Sequence, residues 1–133
     1  MFLTSINGAE INYRLDGNEN LPTLILSNSL TTNFYLWEEQ VPSFTDHFRV
    51  LRYDNRGHGG SSSPKGEYSI DDIGNDILLL MDHLDINKAS LCGISLGGMV
   101  AMWLGIHAGN RVDKLIVCNS SSDLSPPDPW QER

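Results

Sequence analysis

The run Leu91–Trp103, "LCGISLGGMVAMW", sets a serine between glycines as G-x-S-x-G: Gly93, Ser95 and Gly97, with Gly98 next. Glycine and serine are common, so the pattern gains meaning only from its context. The apolar run "ASLCGI" before it reads as a strand, and "LGGMVAMWLGIHAG" after it reads as a helix. A serine on a sharp strand-to-helix turn is held in a strained backbone conformation that presents its oxygen. Gly93 and Gly97 supply the missing side chains such a turn requires, and Gly98 lets the helix lie close to the sheet. The helix N-terminus aims backbone N–H groups and a partial positive charge at the same point. A tetrahedral oxyanion would be stabilised there. The chemistry is nucleophilic attack on a carbonyl, with Ser95 as nucleophile. The competing reading is a glycine-rich turn that binds an anion or merely packs, with Ser95 as a helix cap.

Acyl transfer at a serine also needs a pair of N–H donors for the oxyanion and a base for the hydroxyl proton. The amide of Leu96, directly after the serine, is one candidate donor. The second is the amide of Leu30, in the polar loop "LSNSLTTN" after a buried strand. The base is harder to find. His107 is twelve residues down the same helix as Ser95, about 18 Å away at 1.5 Å per residue, and is excluded. His58 lies in a loop on the same edge of the sheet, but its setting, "RGHG", favours a structural turn residue. His47 and His83 fall at helix ends and read as solvated. Asp123 follows the last strand, where a catalytic acid can sit, yet without a histidine it has nothing to orient. Asp54 and Arg56 read as a structural turn pair.

The elements that must position these groups follow from periodicity. "FLTSI" and "EINYRLDG" read as paired strands, and "TLILSN" as a strand buried on both faces. "YLWEEQVPSF" is a short helical piece broken by Pro42. "FRVLRYD" is a strand that ends in the turn-rich "NRGHGGSSSPKG". Ile70, Ile73, Ile77, Leu80 and Leu84 recur three or four apart, which predicts an amphipathic helix with Ser69 as its N-cap. Gly109 is expected to stop the next helix, and "DKLIVCNSS" is a final strand. Strand–helix alternation after opening strands predicts an α/β fold, a mostly parallel sheet with helices on both faces. Ligands bind beyond the carboxyl ends of such strands. Three polar loops meet there: residues 27–32, 54–63 and 93–98.

Composition narrows the classes further. The chain has 133 residues, enough for one domain with a sizeable core. A net charge of −8 with scattered basic residues speaks against a nucleic-acid partner. No apolar run approaches the roughly 20 residues of a membrane helix, and the N-terminus lacks the pattern of a signal peptide. Cys92 and Cys118 sit in apolar runs and read as reduced core thiols of a cytoplasmic protein rather than a disulfide.

With these residues in view, the chain resembles the N-terminal half of the α/β-hydrolases, and among them the 3-oxoadipate enol-lactonases of aromatic catabolism. The resemblance runs through "LSNSL", the tryptophan of "YLWEEQVP", "FRVLRYDNRGHGGSSSP", "CGISLGGM" and "RVDKLIVCNSS", nearly the whole chain in order. The lactonase likeness rests on "SNSL", where most relatives carry a His-Gly pair, and on "LRYDNRGHG". It implies Ser95 as nucleophile and the Leu30 and Leu96 amides as oxyanion hole, with no cofactor and no metal. Thr31 departs from a frequent glycine, and "HAGNRV" from the usual "HPERV". The resemblance also implies an acid and then a histidine later in the chain than the sixth strand. Three expectations follow from it. The sheet is truncated after the sixth strand, residues 1–122 are the N-terminal part of the core, and residues 123–133 begin the connection to a cap and C-terminal part. The expected activity is cofactor-independent hydrolysis of a small ester or lactone, foremost 3-oxoadipate enol-lactone, with the 133-residue chain alone inactive. A C-terminal complement or an oligomer joined along the last strand is the expected partner. A general carboxylesterase, a cofactor-free perhydrolase and a non-catalytic binding module are the alternatives.

Overall fold

A computed structural model describes residues 2–123. Six strands form one sheet: β1 (Phe2–Ile6), β2 (Ala9–Asp16), β3 (Thr23–Ser27), β4 (Arg49–Tyr53), β5 (Ala89–Ile94) and β6 (Val112–Cys118). Their spatial order is β1-β2-β4-β3-β5-β6. The β1–β2 and β2–β4 pairs are antiparallel, while β4, β3, β5 and β6 run parallel. The opening hairpin turns through Asn7 and Gly8, both with positive φ, as a two-residue loop between right-twisted strands requires.

Helices cover both faces, as the alternation predicted. On one face α2 (Ile70–His83) and α3 (Leu96–His107) bury Ile73, Ile77, Leu80, Val100 and Leu104 against Ile25, Leu51 and Leu91. On the other, α1 (Val41–Thr45) and the 3₁₀ turn Phe34–Trp37 cover Leu24, Leu26, Val50 and Cys92. The N-terminus of α2 is closed as expected. Ser69 Oγ accepts from the Asp72 amide at 3.1 Å, and the Asp72 carboxylate accepts from the Ser69 amide at 2.9 Å. The bond from the Ser69 amide, with one from Ser69 Oγ at 2.7 Å, favours the charged carboxylate and holds the Asp72 pKa below its ordinary value.

Two punctuation marks act differently from the sequence expectation. Pro42 does not break a helix; it occupies the first turn of α1, where its missing N–H has no intrahelical partner to lose. Gly109 does not stop α3. The helix ends at His107, Ala108 leaves the helical region at φ −142°, and Gly109 opens a short 3₁₀ turn into β6. Strand β6 lies at the sheet edge, paired on one side with β5. Its Leu115, Ile116 and Val117 are 39%, 52% and 41% exposed, although the run "KLIVC" has the composition of a buried strand.

Candidate active site

Ser95 sits at the junction of β5 and α3, with φ 54° and ψ −117°. A serine in the left-handed region is strained, so contacts must hold it there. Its amide donates to Cys118 O of β6 at 3.0 Å. Its carbonyl accepts from the Gly98 amide at 2.9 Å and from Ser120 Oγ at 2.7 Å. Its side chain makes no capping bond to the helix. The glycines around it serve close approach rather than unusual torsions, since the positive φ belongs to the serine. A Cβ on Gly93 would collide with the Gly97 carbonyl, and one on Gly97 would collide with the Ser27 carbonyl. On Gly98 it would strike Ser120, which is why α3 can rest on the end of β6.

The contact between Gly97 and Ser27 brings the loop after β3 against the elbow. There Thr31 adopts φ 62°, the conformation a glycine takes without strain. Thr32 Oγ1 donates to Ser29 O at 2.8 Å and closes the turn. Leu30, Ser95 and Leu96 thereby line one open cavity of about 260 Å³, together with Met99, Asn119, Ser120 and Ser121. The amides of Leu30 and Leu96 donate no hydrogen bond among the described residues. Two residues with undonated amides thus line one cavity with the serine of the elbow. An apolar hollow lined by Ile70, Met102, Trp103 and Ile106 adjoins it through Met99 and Ser121.

The histidines do not join this cavity. His58 lines a separate polar depression with Thr31, Thr32, Asn33, Gly57 and Gly59. Its Nδ1 donates to Arg56 O at 3.0 Å. His107 bonds Trp103 O through Nδ1 at 3.0 Å and stacks on the Trp103 ring. His47 and His83 are exposed, the latter with its ring edge-on to Tyr13. Asp123 follows β6, where its amide donates to Ser121 Oγ at 3.2 Å. Asp54 and Arg56 are both structural, but they do not form the expected pair. Buried Asp54 accepts from Asn12 Nδ2 and the Gly60 amide at 2.8 Å each, and from the Phe34 amide at 2.7 Å. Arg56 grips Asp76 of α2 instead, through Nε at 2.7 Å and Nη2 at 2.6 Å.

Both cysteines are free thiols. Burial, with Cys118 alongside, pushes the Cys92 thiol up to about 11, so it stays protonated and unreactive at neutral pH. Among the described residues no group of three His, Cys, Asp or Glu side chains could hold a metal ion, and no helix is long and apolar enough to cross a membrane. The connection expected over residues 123–133 lies, after Asp123, outside the described residues.

The family is decided by its sequence model: that of the alpha/beta hydrolase fold matches residues 22–133. The chain belongs to this family. As an α/β-hydrolase it is similar to 3-oxoadipate enol-lactonase 2 of Acinetobacter baylyi, with 45% identity over 92% of this chain and 46% of that protein. Among solved structures, a hydrolase from Pseudomonas aeruginosa PA01 superposes with a TM-score of 0.96 at 46% identity, covering 99% of this chain and 50% of that one. The enol-lactonase from Burkholderia xenovorans LB400 superposes with a TM-score of 0.94 at 42% identity, covering 98% and 51%. The α/β-hydrolase chain therefore spans about half the length of the relatives it matches.

Proposed function

We propose that the complete protein is a cofactor-independent serine hydrolase of a small lactone, foremost 3-oxoadipate enol-lactone. One observation carries the reading. Ser95, in a strained strand-to-helix elbow, lines one cavity with Leu30 and Leu96, whose amides donate no hydrogen bond among the described residues. Similarity to two proteins named as enol-lactonases supports a lactone as the substrate class.

In this mechanism Ser95 Oγ attacks the lactone carbonyl and gives its proton to a general base. The Leu30 and Leu96 amides receive the oxyanion. Collapse of the tetrahedral intermediate breaks the ring C–O bond, and the protonated base returns the proton to the departing enol oxygen. Water, activated by the same base, then releases the acid from Ser95. His58, which lines a separate depression, is given no part in this mechanism. Base and acid come from outside residues 2–123 in this reading, in keeping with the Ser, acid, His chain order of this fold. The 133-residue chain alone is then inactive or nearly so.

Lactone and simple-ester hydrolysis by the full-length protein and its Ser95→Ala variant test the proposal. The lactone should be the better substrate by kcat/KM, and Ser95→Ala should lower kcat at least about a thousandfold. Equal kcat/KM for a simple acetate ester would favour a general carboxylesterase. Turnover that survives Ser95→Ala would remove the serine mechanism altogether.

A further inference from the structure

The loop that carries Leu30 has little regular structure of its own, so something outside it must fix its amide. Asn28 is 0% exposed and lies two residues before Leu30. Its Nδ2 donates to the carbonyl of Tyr53, the last residue of β4, at 2.7 Å. Its Oδ1 accepts from Nε1 of Trp37, the last residue of the 3₁₀ turn, at 2.9 Å. The partners fix the orientation of this amide. Reversed, it would set oxygen against the Tyr53 carbonyl and NH₂ against the indole N–H. One side chain thus ties the loop to the sheet on one side and to the 3₁₀ turn on the other.

The neighbouring contacts leave Asn28 the central role. Ser27, just before it, bonds the buried Tyr53 hydroxyl at 2.5 Å. The Phe34 amide, beyond the loop, is held by Asp54. Between these anchors only the Asn28 side chain reaches from the loop into the core. The backbone of Asn28 also forms part of the wall that Gly97 must clear, since a Cβ there would approach the Asn28 carbonyl to 2.9 Å. A shift of Asn28 therefore moves the Leu30 amide relative to the elbow and the Leu96 amide.

We infer that Asn28, clamped between the Tyr53 carbonyl and the Trp37 indole, is the positioning residue of the oxyanion hole, with Trp37 as the second half of the clamp. The inference rests on the hydrolase reading above. It touches the transition state only through Leu30, so its loss should appear in kcat rather than KM. A donor displaced by about 1 Å costs on the order of a hundredfold in rate.

The test uses the full-length enzyme with Asn28→Ala, Trp37→Phe and the double variant. Rates are expressed per active site titrated and checked against thermal melts. Asn28→Ala should lower kcat about a hundredfold and Trp37→Phe about tenfold, each with KM within twofold. The double variant should match Asn28→Ala, because both changes open one clamp. Trp37→Phe keeps the ring and loses only the donor, so it decides the matter if Asn28→Ala does not fold. Unchanged kcat per folded site, or a rise in KM at constant kcat, would overturn the inference while leaving the hydrolase reading intact. Wild-type protein without Ser95-dependent turnover would instead overturn the hydrolase reading, and this inference with it.

Discussion

The elbow at Ser95 was legible because glycines flank it at 93, 97 and 98. The chain reveals in its composition where backbone must approach backbone, and the 93–98 segment does so three times. The clearest consequence belongs to Gly97, whose Cα faces the Ser27 carbonyl. Both walls there are main chain, so neither can yield by turning a rotamer. Gly97→Ala should destabilise the fold by about 1–3 kcal/mol, measured by chemical denaturation. On the proposed hydrolase reading it should also push the Leu30 loop from the elbow, lowering kcat of the full-length protein more than its stability loss explains. An alanine variant with wild-type stability would show that the two backbones are farther apart than described. The clamp on the same loop was not legible. Asn28, Trp37 and Tyr53 are separated by 9 and 25 positions, and nothing local in "LSNSLTTN" marks which polar side chain turns inward. Only the folded contact distinguishes Asn28 from Ser29.

At the scale of elements, alternation and period were enough for all six strands and both long helices, including the Ser69 cap. Signals from single prolines and glycines were less reliable. Pro42 is compatible with a helix start as well as a helix end, and which one applies depends on where the chain must turn to reach β4. Asp54 and Arg56 show the same limit. Two residues apart in a turn, they read as a structural pair, yet each is bonded to other partners across the fold. Arg56 joins the loop after β4 to α2 through Asp76, and to the first hairpin through Asn7 O at 3.1 Å. The side chains of Arg56 and Asp76 are 8% and 3% exposed, so breaking this pair leaves a buried charge without its counterion. Asp76→Asn should therefore cost about 3–5 kcal/mol, read as a lowered denaturation midpoint. A loss below about 1 kcal/mol would mean that water reaches Arg56.

For the whole molecule the telling surface is β6. The run "KLIVC" has the composition of a strand covered on both faces, whereas Leu115, Ile116 and Val117 are between 39% and 52% exposed at the edge of the described sheet. Periodicity reports the environment a strand is suited to, and here that environment includes more than residues 2–123 provide. An apolar edge strand with unpaired backbone groups recruits another strand. The 133-residue chain by itself should accordingly sediment as a concentration-dependent oligomer, and Ile116→Lys should shift it towards monomer without loss of helical circular dichroism. A monodisperse monomer at high concentration in the unaltered chain would count against an adhesive edge.

The hydrogen bond from the Ser95 amide to Cys118 has a meaning in time as well as in space. During synthesis the serine leaves the ribosome well before β6 does. A nascent chain that has emerged only through α3 carries the residue but not the contact that locks its backbone. Its strained torsions have to wait for the last strand to dock beside β5. The elbow is therefore a late feature of the fold, complete only when β5 and β6 are paired.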